Sequence, residues 1–209
     1  MLGFLFLFAY APMLEPNDKD MAIFSGYNNL IPLFGVFNMA VFCVMSAVMY
    51  SKFVIEDYSG KRSILLFSYP VSRNKIILSK LSVVCGFTII SMVISNIIVF
   101  LTFGITEKFI HLVGRDFTFP IMLQVIESTL VMSFIAASIG VAAVGIGFIK
   151  KSVPTTIVSS VLIASLMCNI VVNVTLSRIT MYVVAVIMIL IGIIFSIFLI
   201  KKVNAMEVE

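Results

Sequence analysis

The hydrophobic positions of this chain fall into long unbroken runs, and the stretches between them hold most of the charged and turn-forming residues. Read as helices at about 20 apolar residues per crossing, the runs give six elements. They cover approximately 1–12, 30–51, 81–103, 121–149, 153–174 and 181–200. Segments 13–29, 52–80, 104–120, 150–152, 175–180 and 201–209 connect or flank them. The predicted fold class is an all-α polytopic membrane protein. It is a six-span helical bundle in one transmembrane domain, 1–209, with a short helix in the connection between spans two and three.

The first run is the exception. Its eleven residues before Pro12 reach only about 17 Å at ~1.5 Å per residue, short of a ~30 Å hydrocarbon core. Two expectations follow: the chain start is truncated relative to the functional protein, or residues 1–12 form a partial or interfacial helix and five full spans remain. No basic flank precedes the run, so it does not read as a secretory leader.

Composition agrees with the runs. Of 209 residues, 61% are hydrophobic and 11% charged, against roughly 45–50% and about 25% in soluble domains. A water-soluble globular domain is excluded, and the length leaves no room for a separate soluble catalytic domain. His111 is the only histidine, so no site with several His ligands can form within one chain. Cys43, Cys85 and Cys168 each lie inside an apolar run and read as small buried hydrophobes, not as a disulfide framework.

The net charge of +4 matters less than its placement. Lys52, Lys61, Arg62, Arg73, Lys75, Lys80, Lys150, Lys151, Lys201 and Lys202 fall on one side of a six-span arrangement, and Lys19, Lys108, Arg115 and Arg178 on the other. The positive-inside rule then places segment 52–80 and the C-terminus in the cytoplasm of a plasma-membrane protein.

The connection from Glu56 to Lys80 carries the most information. Ser59-Gly60 can break the descending helix, and residues 61–68 then form about two helical turns. In those turns Lys61, Arg62 and Ser63 stand beside Ile64, Leu65, Leu66 and Phe67. Pro70 pushes Tyr69 into an extended conformation, and Ser72 stands where it can cap the next helix, which begins Arg73-Asn74-Lys75. An apolar knob with a basic rim suits either the membrane surface or a groove on a cytosolic partner. Composition alone leaves both open.

The segment resembles the cytoplasmic loop of the type-2 family of ABC exporter permeases. Glu56, Gly60, Leu65, Leu66, Pro70, Ser72, Arg73 and Lys80 match that loop's pattern. Lys61 stands where the family usually has Thr or Ser after the glycine, and the short first run also departs from it. The resemblance implies a coupling segment over 56–75 that docks a separate cytosolic ABC ATPase. The contacts it implies are Glu56, Gly60, Lys61, Arg62, Leu65, Leu66, Phe67 and Arg73. It also implies ATP and Mg on that partner and no cofactor in this chain, and it implies a second permease copy or homologue in a homo- or heterodimer. The string Gly60-Lys61-Arg62-Ser63 is not a P-loop. Ile55 stands at the first glycine position and Arg62 at the hydroxyl position.

Polar residues recur within the runs. Ser165, Asn169, Asn173 and Ser177 are four apart and share one helical face, and Asn38 lies about two turns into the second run. Such residues commonly bond between helices. Through the resemblance, Asn38, Ser165, Asn169 and Asn173 become candidates for the translocation path. Ser133, Ala136, Ala137, Gly140, Ala143, Gly145 and Gly147 supply small residues for close helix packing in the fourth run. Glu127 is the acidic residue inside a predicted span, near its outer end.

The expected function is the membrane subunit of an ATP-driven exporter moving a hydrophobic or amphipathic peptide, drug or lipid, with no catalytic site, metal or nucleic acid involved. Two alternatives are an ion-gradient-driven secondary transporter and a non-transporting immunity or sensor protein. The former lacks an ionisable relay or an evident internal repeat.

Overall fold

The computed structural model describes residues 3, 5–7, 9–10, 27–58, 72–110, 119–174 and 178–205, and all regular structure among them is helical. Helix α1 spans Tyr27–Tyr50 and runs directly into a π-helical turn, Ser51–Ile55. Helices α2 (Arg73–Ile110), α3 (Phe119–Lys150), α4 (Val153–Val174) and α5 (Arg178–Asn204) follow. Among the described residues, five stretches are long and apolar enough to cross a membrane: Asn29–Ile55, Arg73–Thr106, Phe119–Lys150, Val153–Val171 and Ile179–Asn204.

The first of the six expected spans falls on residues 1–12, of which only part is described. Residues 3, 5–7 and 9–10 are helical. Leu5 and Ala9 are buried in a cluster with Leu30, Ile31, Phe34, Val99, Phe100 and Phe103, and the Phe6 ring lies 5.2 Å from that of Phe103. This short piece therefore packs against one end of the bundle.

Helix α2 starts at Arg73, ahead of the apolar run that opens at Leu81. The Ser72 carbonyl accepts the amides of Lys75 at 2.9 Å and Ile76 at 3.3 Å, which begins the ladder. The helix has 38 residues, or about 57 Å at ~1.5 Å per residue, nearly twice a ~30 Å core. Its first turns, bearing Arg73, Lys75 and Lys80, thus extend past the apolar layer. The short helix expected over 61–68 lies outside the described residues.

Helix α3 is the hub. Its most apolar window is 83% buried, against 17% for α4, and α3 packs on each of the other four helices. Small residues make this possible. A Cβ at Gly147 would overlap Thr156 Oγ1 and stand 3.0 Å from the Thr156 Cα, and one at Gly140 would overlap the Ser46 hydroxyl. Dispersion and close backbone approach, not water exclusion, hold helices together in lipid.

The α3–α4 turn is correspondingly tight. The Ser152 amide donates to the Gly147 carbonyl and the Lys151 amide to the Phe148 carbonyl, each at 3.3 Å, with Lys151 at φ 48°. This is a Schellman ending with lysine in the left-handed position usually given to glycine.

Candidate functional site

Two features stand out, both centred on the helices that flank the basic loop. The first is where the loop is rooted. The descending leg leaves α1 through the π-helical turn, in which the Glu56 amide reaches the Ser51 carbonyl at 3.0 Å. π-turns commonly occur at functional positions. Here the turn buries Val54 and Ile55 while Lys52 and Phe53 stay exposed.

The ascending leg is α2, and the two legs are joined. Lys80 Nζ donates to the Asp57 carboxylate at 2.6 Å and stands 5.3 Å over the Tyr58 ring. The Tyr50 hydroxyl donates to the Leu81 carbonyl at 3.2 Å. Tyr58 meets Phe148 of α3 edge-on, with ring centroids 5.7 Å apart. Around these contacts Tyr50, Val54, Ile55, Tyr58, Ile77 and Leu81 form one buried cluster with Phe148 of α3 and Leu199 and Val203 of α5.

Burial pushes the Tyr58 phenol up to about 12; the Asp57 carboxylate adds to the rise and the Arg73 guanidinium opposes it. The phenol is therefore neutral at physiological pH and serves as an aromatic face for Lys80. Arg73 and Glu56 are half-buried beside this cluster. Gly60, Lys61, Arg62, Leu65, Leu66 and Phe67 lie outside the described residues.

The second feature is a buried polar relay across α1, α2 and α3. The Asn38 amide group donates to the Asn96 side-chain oxygen, and the Asn96 amide group donates to Thr129 Oγ1 at 2.8 Å. Asn38 is 0% exposed, and its own side-chain oxygen accepts no hydrogen bond from the described residues. Asn38 is thus an interhelical tie. It does not share a surface with Ser165 and Asn169, which are exposed on the outer face of α4. Those two bond locally, Asn169 to the Ser165 carbonyl at 2.9 Å and Ser165 to the Leu162 carbonyl at 2.9 Å. The Asn173 side chain lies outside the description.

The relay makes a prediction about which groups need one another. Asn96→Leu leaves the amide of Asn38 without its acceptor, an omission that typically costs about 1–3 kcal/mol when buried. The double variant with Asn38→Leu removes both polar groups together. We expect the single variant to lower the thermal midpoint in detergent more than the double one does; equal or additive losses would contradict the relay.

Helix α4 is held to α1 through backbone carbonyls. Ser160 donates to the Cys43 carbonyl at 2.9 Å, and the Cys168 thiol approaches the Val36 carbonyl at 3.9 Å. At the end of the bundle away from the loop, the Tyr182 hydroxyl of α5 donates to Glu127 of α3. Glu127 is only half-buried there.

Sequence reasoning singled out the loop but missed its root. Neither Asp57 nor Tyr58 belongs to a recognisable spacing, and Phe148 is one of many phenylalanines. The available signal was a carboxylate closing one apolar run opposite a lysine opening the next.

A family model described as ABC-2 family transporter protein matches residues 1–165. The uncharacterized protein YcbO of Bacillus subtilis (strain 168) is 32% identical over 169 residues, which is 81% of this chain and 72% of that relative. No solved structure matches. The family match takes in α1, both legs of the loop, α2, α3 and the first half of α4, so the rooted loop and the polar relay both lie within it, and the chain belongs to the ABC-2 family of transporter membrane proteins.

Proposed function

We propose that this chain is the membrane subunit of an ATP-driven exporter, with segment 56–75 as its cytoplasmic coupling element. A separate cytosolic ABC ATPase grips Leu65, Leu66 and Phe67 from inside the cell, and Glu56, Gly60, Lys61, Arg62 and Arg73 surround that contact. ATP and Mg reside on that partner. The C-terminus lies in the cytoplasm of a plasma-membrane protein, as the distribution of Lys and Arg favours.

The observation that carries the reading is the root of the loop. An ion pair, a hydrogen bond and a shared core join its two legs, and that core continues into α3 and α5. A displacement of the loop therefore reaches four helices and not one. Transport further requires that cargo bind the inward- and outward-facing states with different affinity.

The outer face of α4 supports a second permease copy or homologue. Val158, Leu162, Leu166 and Ile170 are exposed there, and Ser165 and Asn169 stand among them. Polar groups in hydrocarbon are unfavourable, so a facing protomer or a polar passage suits this helix better than lipid. Ser165, Asn169 and Asn173 then line the path, and the apolar residues around them suit a hydrophobic or amphipathic peptide, drug or lipid.

Affinity purification in mild detergent tests the energy source. The expected result is recovery of a P-loop ATPase with the chain. Recovery of none, or labelling of loop cysteines introduced at 61–68 by an impermeant reagent from outside intact cells, would overturn the reading. Within the recovered complex, Asn169→Leu with Asn173→Leu should change ATP turnover severalfold while assembly is retained. Loss of the dimer at normal turnover per complex would assign those residues to packing instead.

A further inference from the structure

We propose that Asp57 and Lys80 form a latch that makes the two legs of the loop move as one body, and that this pair is a positioning element for energy coupling. The proposal rests on the exporter reading and deepens it.

The pair is 23 residues apart in sequence and bridges the descending and ascending legs, Asp57 following the π-helical turn and Lys80 preceding the apolar run that opens at Leu81. Lys80 and Asp57 are 19% and 35% exposed, so the pair is partly shielded, and a charge-assisted contact at 2.6 Å is among the stronger polar links available to side chains. Lys80 does two things at once. Its ammonium holds the carboxylate of one leg and rests on the ring of Tyr58, which is itself wedged on Phe148. The link therefore registers the loop to α3 as well as to the other leg.

Without the link, the Tyr50 hydroxyl and apolar packing remain among the contacts between the legs at the root, and the directional restraint of a short charge-assisted bond is lost. Apolar contacts are non-directional and allow one helix to slide on another. A partner pushing on the loop would then shift one leg past the other, and the displacement would be lost before it reached the transmembrane helices. Asp57 and Lys80 are distinct from the residues proposed to touch the ATPase, so breaking the latch should spare binding and damage transmission.

Reciprocity gives a readout that needs no cargo. If ATP binding biases the membrane subunit, the membrane subunit must bias ATP binding by the same factor. The test compares the apparent ATP affinity of the co-purified ATPase alone with that of the complexes formed by the wild-type chain, Asp57→Asn, Lys80→Met and the exchange Asp57→Lys with Lys80→Asp. The expected result is that the wild-type chain shifts ATP affinity, that either single variant cuts the shift at least threefold, and that the exchange restores most of it. Partner affinity stays within threefold throughout.

Single variants that bind the ATPase and keep the full shift overturn the latch and leave the exporter reading standing. Loss of partner binding in every variant, the exchange included, overturns it in favour of a folding role. A wild-type chain that captures no ATPase, or captures one and shifts nothing, removes the exporter reading and the latch together.

Discussion

Replacing Leu65 and Leu66 together with aspartate is expected to abolish co-purification of the ATPase while leaving membrane insertion intact. Each leucine buried in a partner groove contributes about 1.5–3 kcal/mol, so losing both weakens binding by ~3–6 kcal/mol, more than a hundredfold in Kd. The two carboxylates would deepen the loss, because an unpaired charge forced into an apolar groove is strongly unfavourable. Insertion should be unaffected, since these residues belong to no apolar run of spanning length. The measurement is the ratio of ATPase to permease after purification in mild detergent. If segment 61–68 instead lies on the membrane surface, the ratio stays unchanged and the docking assignment is wrong. Lys61→Ala with Arg62→Ala should give a smaller loss that shrinks as salt is raised, because exposed charges are screened over about 8 Å at physiological ionic strength.

The second large effect concerns the scaffold. Gly147→Leu is expected to lower the thermal midpoint steeply or prevent recovery of folded protein. A Cβ at this position already meets Thr156 at its hydroxyl, its Cβ and its Cα, so relief requires moving the α4 backbone and not merely a rotamer. Overpacking of a filled interior costs about 1–3 kcal/mol when side chains can adjust, and more when they cannot. The site is also constrained from below, because the Gly147 carbonyl accepts the Ser152 amide that closes the turn into α4. Gly86→Leu is the matched control. Nothing lies within 4 Å of a Cβ there, so its midpoint should stay near that of the unaltered protein. Similar losses at both glycines would show that general helix propensity, not the α3–α4 contact, sets the effect.

How much of this could be read in advance differs from residue to residue. The apolar runs announced α1 to α5 because, in lipid, every backbone polar group must be bonded within its own segment, and only a helix does that over such a length. Small residues in the fourth run pointed to close packing, since lipid leaves a buried helix little else to associate by. Neither observation told which helices those glycines would face. Asn38 illustrates the limit. Its type and depth were visible, and the family resemblance suggested a common strip with Ser165 and Asn169, whose spacing shows only that those two share a face. The structure separates them: Asn38 turns inward to Asn96 of α2, and the α4 pair turns outward. Rotation of one helix about its axis relative to another depends on all the side chains at the contact, which no single run encodes.

The loop root is the sharper case. Lys80 matched the loop pattern of the family but with no partner to assign to it, Asp57 looked like an ordinary flanking charge, and Tyr58 and Phe148 like ordinary aromatics. Only the return of α2 beside the π-helical turn brings them together.

The sequence by itself determined that this protein is a bundle of membrane-crossing helices with a basic loop between two of them, because chain length, hydrophobicity and charge act locally along each segment. The tertiary structure alone decided that α3 is the hub, that Asn38, Asn96 and Thr129 together tie three helices and that the loop's two legs are pinned to each other and to α3. Those facts depend on contacts between residues far apart in the chain, and their geometry is fixed by how the helices are turned and stacked, not by any segment read alone.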